Sequence, residues 1–243
     1  MEENKKVGEN TLTLSVIAHV RNDFPTKFGL PRQSGLSSSL ISKIVFEPQY
    51  RNPDLLRGIE GYSHLWLIWG FSEVFSEKWS PTVRPPRLGG NTRMGVFATR
   101  APYRPNPLGL TCVKLEGVEK TSDGLVLIVS GADIMDKSPI YDIKPYLPYV
   151  DVCEGASDGF TAQTKDYFLK VDFPEELLSV IPEEKRSPLI EALSGDPRPS
   201  YHKDKDRIYG FEYSGFEIKF RVDEGVLHVC SVDKRENSIK SDN

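Results

Sequence analysis

HLWLIWGF, residues 64–71, is an eight-residue run whose only polar side chain stands at its head. It is too short for an ordinary globular helix, and an unbroken apolar run of this length reads as a strand buried on both faces. Similar segments lie on either side. Residues 40–46 (LISKIVF) are β-branched and apolar, Leu12, Leu14 and Val16 alternate with polar neighbours, and residues 94–99, 110–118 and 124–129 continue the series. Glycine and proline punctuate the gaps. Short strands joined by such turns predict a barrel or a sandwich over residues 11–152. Within that span only Asn52-Pro53-Asp54-Leu55-Leu56 has the form of a helix start, with asparagine at the cap and proline in the first turn. Long connections fall at residues 21–39, 76–92 and 132–148. Long ordered loops on a β scaffold are where function concentrates.

The pattern changes after residues 155–163 (GASDGFTAQ), which read as a linker. Pro174-Glu175-Glu176 opens one helix, and residues 187–193 form a second that ends at Gly195. Residues 216–222 (FEIKFRV) alternate as a half-buried strand does, and residues 226–232 supply a partner. Ser214-Gly215 and Asp223-Glu224-Gly225 flank that strand with hairpin chemistry. These elements predict a small α+β domain over residues 164–233, followed by a polar tail expected to be disordered.

Composition excludes several classes. At 243 residues, 38% apolar and 27% charged, the chain is long enough for a real core and is not of the disordered class. Three widely spaced cysteines do not make a disulfide framework, no apolar run approaches membrane-spanning length, and the N-terminus lacks a signal pattern. The expected setting is cytoplasmic, with no membrane partner. There is no G-x-G-x-x-G after a strand, no G-x-x-x-x-G-K-[ST] and no G-x-S-x-G. The four histidines show no metal-ligand spacing, so no metal is expected.

The net charge of −4 argues against indiscriminate coating of nucleic acid. Yet residues 78–114 carry seven positive side chains and no carboxylate, with Arg84, Arg87, Arg93, Arg100 and Arg104 set among prolines and glycines. Guanidinium forks bind phosphate and carboxylate bidentately. Three loops carry the polar groups suited to a site. Residues 31–35 (PRQSG) present Arg32 and Gln33; residues 95–110 present Arg100, Tyr103, Arg104 and Asn106; residues 133–148 present Asp133, Asp136 and Asp142 beside Lys137, Tyr141, Lys144 and Tyr146. Proline leaves such loops little entropy to lose on binding.

GVFATRAPYRPN, residues 95–106, resembles the signature of the TrmO (TsaA-like) family, as do residues 31–36, 58–69, 79–100 and 141–151. DPRPSY, residues 196–201, is similar to the C-terminal domain of bacterial members. The resemblance spans nearly the whole chain. It implies a mainly β, non-Rossmann methyltransferase: a single β-barrel catalytic domain over residues 11–152 with a small C-terminal α+β domain. It also implies S-adenosylmethionine as cofactor, a homodimer, and methylation of N6 of N6-threonylcarbamoyladenosine at position 37 of threonine tRNA, beside the anticodon.

By the same resemblance, cofactor contacts fall on Pro31, Arg32, Gln33, Ser72, Glu73, Arg100, Leu110, Met135, Asp136, Lys137 and Ser138. Tyr103, Arg104, Asn106, Tyr141 and Lys144 are left for the modified nucleoside and the anticodon stem-loop. Asp136, Asp142 and Asn106 are the catalytic candidates, and His64 is a further possible base by chemistry alone. The chain departs from the family at two places. Asp136-Lys137-Ser138-Pro139 stands where members often read Asp-Gly-Thr-Pro, and Ser72-Glu73 where others carry a His-Gln pair. The residues themselves leave a second reading open, a non-catalytic RNA- or ligand-binding barrel using the same basic loops.

Overall fold

The structure, a computed structural model, describes residues 12–31, 34, 38–73, 79–88, 91–163, 167–198 and 204–235, with Arg87 and Gln163 described by their backbone alone. Arg32, Gln33 and the polar tail beyond residue 235 lie outside the described residues.

The chain is mainly β. Strands β1 (Ala18–Arg21), β2 (Ile41–Phe46), β3 (His64–Gly70), β6 (Leu108–Thr121), β7 (Gly124–Ser130) and β8 (Pro139–Pro145) form one antiparallel sheet in the order β1-β2-β7-β6-β3-β8. Pairing of β1 with β8 joins the two ends of that order, through Ala18 opposite Ile140 and His19 opposite Pro139. A separate ribbon pairs β4 (Thr82–Val83) with β5 (Met94–Gly95). Alternation along the strands sends Ala18, Val20, Ile44, Leu65, Leu67, Trp69, Val113, Leu127, Val129 and Ile140 into a common core.

After helix α1 (Pro148–Asp151), the C-terminal part sets α2 (Glu175–Leu178) and α3 (Glu183–Ser194) against a sheet of β10 (Tyr209–Tyr213), β11 (Phe216–Asp223), β12 (Val226–Lys234) and β9 (Lys170–Asp172). Both hairpin turns are as the sequence predicts. Ser214 and Gly215 have φ of 48° and 80°, and Glu224 and Gly225 have 47° and 79°, the two positive values a type I′ turn requires. Two residues from the other half complete this core: Phe24 and Leu40, both 0% exposed, pack among Tyr213, Phe211, Phe220 and Leu189. Burying a side chain such as Phe24 contributes about 1.5–3 kcal/mol.

Several expectations are corrected. Residues 12–17 form no strand; Leu12 is 80% exposed, and ladder pairing begins only where Ile17 donates to the Ile140 carbonyl. Strand β3 is not buried on both faces: Leu65, Leu67 and Trp69 are buried, whereas His64, Trp66 and Ile68 are half-exposed. The segment 94–99 leaves its strand after Gly95 and turns through a 3-10 segment at Val96–Ala98. Residues 53–56 are a single 3-10 turn, capped by Asn52 Oδ1 accepting the Asp54 N–H at 3.0 Å. Half of the supposed third loop is strand β8, and the second C-terminal helix starts four residues before Ser187, at Glu183.

Candidate functional site

The strand directions sort the connections by end. The β1–β2, β3–β6 and β7–β8 connections all leave one end of the sheet, because Arg21, Gly70, Leu108, Ser130 and Pro139 occupy that end of the paired register. Pro31 and Ser34, Ser72 and Glu73, Arg100, and Met135 to Ser138 all sit on these connections. His64 does not. It starts β3, about 20 Å from Gly70 at strand rise, and there its Nδ1 lies 2.9 Å from Ser63 Oγ while its ring packs near Tyr146.

At the shared end the loops meet on Asp133. Thr111 Oγ1 donates to Asp133 Oδ1 at 2.7 Å and itself accepts the Trp69 indole N–H at 2.9 Å. The Ser34 backbone N–H also binds this carboxylate, and Arg100 stabilises its charge. Burial nevertheless dominates and pushes the Asp133 pKa up, against the opposing effects of Thr111, its own backbone N–H, Arg100 and Ser34. Residue 109 must be glycine for this arrangement, since a Cβ there would lie 2.2 Å from the Trp69 ring. The sequence places Asp133 in the third loop without marking a role for it. The missing signal was the partner Thr111, which is 22 residues away and recognisable only once β6 and the third loop are placed together.

The 135–138 turn is braced by backbone. Asp136 N–H donates to Phe24 O at 2.9 Å, Lys137 N–H to Val20 O at 2.8 Å, and Ser138 N–H to Met135 O at 3.2 Å. The Asp136 carboxylate is engaged as well: Oδ1 accepts the Asn22 N–H at 3.1 Å, and Oδ2 stands 3.7 Å from Arg21. Lys137 adopts φ 66°. This is the left-handed region, which explains why glycine suits the position better. Relief of about 1–2 kcal/mol, less about 0.5–1 kcal/mol for the added freedom of unfolded glycine, gives Lys137→Gly a net gain. A thermal melt is expected to rise by about 1–4 °C; a fall would show that the lysine side chain makes a stabilising contact.

The remaining residues divide. Ser72 Oγ is buried with no hydrogen-bond partner among the described residues, and Glu73 pairs with Lys27 at 3.6 Å. Leu110 is 57% exposed, on the opposite face of β6 from Thr111. Tyr141 is the extra residue of a β-bulge, as Ile68 faces Asp142 while Trp69 faces Ile140. The bulge turns its ring onto Gly70, where a Cβ would come within 2.8 Å of the hydroxyl. Asp142 pairs with Lys144 at 2.9 Å. Arg104 donates through Nη1 to Thr99 O at 3.1 Å, holding its own loop closed, while Tyr103 and Asn106 stay exposed.

An arginine whose charge bears on a shielded carboxylate, a buried Ser72 hydroxyl without a partner among the described residues and three connections meeting at Asp133 lie beside an exposed, arginine-bearing surface, and these make the candidate site. Residues 19–152 match the tRNA-methyltransferase O N-terminal domain and residues 166–235 the TrmO C-terminal domain. The chain belongs to the tRNA-methyltransferase O family. It is 37% identical over 227 residues to the tRNA (adenine(37)-N6)-methyltransferase of Escherichia coli K12, covering 90% of this chain and 97% of that one. A protein of the same name from Eikenella corrodens is 43% identical over 172 residues, 70% of this chain and 97% of the relative. The crystal structure of TrmO from Pseudomonas aeruginosa superimposes with a TM-score of 0.71 at 29% identity, over 91% of this chain and 98% of that one.

Proposed function

We propose that this protein is an S-adenosylmethionine-dependent tRNA methyltransferase acting on N6 of the adenine at position 37, with the threonylcarbamoyl-modified base of threonine tRNA as its substrate. The observation that carries the reading is the junction on Asp133, where the Ser34 loop, Arg100 and the strand bearing Thr111 come together. The family membership supplies the reaction class.

The residues present fit the cofactor. The unpartnered Ser72 hydroxyl is a hydrogen-bonding group left over by the fold, and the Arg100 guanidinium suits a carboxylate such as that of the methionine moiety. Pro31, Ser34, Ser72, Arg100 and the 135–138 turn would hold it. Bound S-adenosylmethionine supplies an electrophilic methyl group, so the protein's work is alignment and exclusion of water. Asp136 would serve that work by fixing its turn, through Oδ1 on the Asn22 N–H and Oδ2 near Arg21. Tyr141, aimed by the bulge onto Gly70, would face the nucleoside side, with exposed Tyr103 suited to stack on a base. A stacked base contributes about 1–3 kcal/mol. Lys144 pairs with Trp66 toward the His64 end of the sheet and would reach only a more distant part of the anticodon stem-loop.

The ring of six strands is read as the barrel scaffold over residues 11–152, with residues 164–233 as the second domain. A homodimer in the cytoplasm completes the proposal. Among the described residues no helix is long and apolar enough to cross a membrane. The test incubates the protein and S-adenosylmethionine with threonine tRNA that bears or lacks the threonylcarbamoyl group, followed by nucleoside mass analysis. A gain of one methyl only on the modified adenosine is expected. Cofactor-free binding of tRNA with no methyl gain would favour the non-catalytic barrel.

A further inference from the structure

The β1–β2 connection does not rest on its own sheet. It is seated in the C-terminal domain. Phe24 lies with its ring centroid 4.9 Å from that of Tyr213, whose hydroxyl donates to Lys185 O at 3.0 Å. The Asp23 carboxylate takes the ammonium of Lys185 on α3, and its carbonyl accepts the Ser214 N–H at 2.9 Å. Gly29, at φ 94°, lies against Phe211 so closely that a Cβ would stand 2.2 Å from the ring. Further on, Leu30 and Pro31 share a recess with Phe168, Ala192 and Pro197, and the Ser39 N–H donates to Glu191 at 3.3 Å.

The same residues hold the third loop with their other polar groups. Phe24 O accepts the Asp136 N–H at 2.9 Å. Asn22 Nδ2 donates to Ile134 O at 2.7 Å, and Asn22 Oδ1 accepts the Phe24 N–H at 3.0 Å. Asn22 N–H donates to Asp136 Oδ1 at 3.1 Å. One residue therefore has its side chain in the C-terminal core and its carbonyl on the turn assigned to the cofactor.

We propose that the C-terminal domain is a positioning clamp for the methyl-donor site, with Phe24 and Asp23 as its grip and Asn22 passing that grip to the 133–138 loop. The inference rests on reading that loop as part of the cofactor site. It gives the domain a role that needs no contact with RNA. A domain that serves only to bind tRNA would leave cofactor affinity alone.

The test is calorimetry of S-adenosylmethionine with the full chain and no tRNA, comparing wild type, Phe24→Ala and Lys185→Gln. Each variant is expected to raise the cofactor Kd, on the order of 10-fold for Phe24→Ala and less for Lys185→Gln, with Phe24→Leu recovering most of the loss. Hydrogen exchange supplies the readout that a general loss of stability would not mimic: the Asp136 amide should exchange faster while the β7 amides of Leu127 and Val129 keep their protection. Should Phe24→Ala fail to fold, Lys185→Gln and the Asp136 amide carry the test. A cofactor Kd within about twofold of wild type in the folded variants overturns the clamp alone. Absence of cofactor binding by wild type overturns the functional reading, and the clamp with it.

Discussion

Arg100→Ala is expected to weaken S-adenosylmethionine binding by about 10- to 100-fold, the loss of a hydrogen bond to a charged group. The same change should cost tRNA affinity only about threefold or less, because RNA binding is spread over many cations and screened by salt. The asymmetry follows from placement. Arg100 emerges from the 3-10 turn Val96–Ala98 at the end of the sheet where the connections meet, and its charge bears on Asp133. Arg104, four residues on, is already committed to Thr99 O at 3.1 Å and cannot take its place without opening the loop. Lysine at position 100 should restore only part of the affinity, since an ammonium replaces a planar fork. Calorimetry with the cofactor and filter binding with tRNA measure the two effects separately. Lost tRNA affinity with an unchanged cofactor Kd would reassign Arg100 to the RNA.

What the sequence made legible was local. The apolar alternation of residues 216–222, the two glycine-bearing turns beside it and the run at 64–71 each settle an element within a few residues of chain. Strand β8 was hidden because Pro139 and Pro145 bound it and read as loop; both are tolerated at strand ends, where a missing N–H costs no ladder bond. Residues 12–16 erred the other way, alternating as a strand does but lacking a neighbour among the described residues. The candidate site was legible as three loops rich in polar groups; of the expected cofactor positions, Pro31, Ser72, Glu73, Arg100 and Met135 to Ser138 lie on connections at one sheet end, whereas Leu110 lies within β6. The nodes joining the loops were not legible. Thr111 to Asp133 spans 22 residues, Asn22 to Ile134 spans 112, and Lys185 to Asp23 spans 162. No local pattern marks a pairing at such separations, nor the one by which the Asn22 N–H reaches Asp136, 114 residues away.

Asp133→Asn separates the two things that carboxylate does. Asparagine keeps the size and can still accept from Thr111 Oγ1 through its single amide oxygen, but it removes the charge that faces Arg100. With that charge gone, the electrostatic attraction that favours Arg100 at the junction is lost, and cofactor Kd is expected to rise by about 10- to 100-fold. Stability should move the other way. Burial raises the Asp133 pKa above that of the unfolded chain, so at neutral pH the ionised group works against folding. That cost fades as pH falls through the raised folded value and is gone below the unfolded one. The variant should therefore melt at or above the wild-type temperature at pH 7, with the difference shrinking in mild acid. Cofactor binding has its own pH signature. Wild type should lose affinity on acidification at a pH above the ordinary aspartate range, as Asp133 takes up a proton and its charge on Arg100 disappears. The asparagine variant, weaker throughout, should show no such step. A variant that binds normally yet melts lower would make Asp133 a packing residue only, and the meeting point of the three connections would no longer support a donor site.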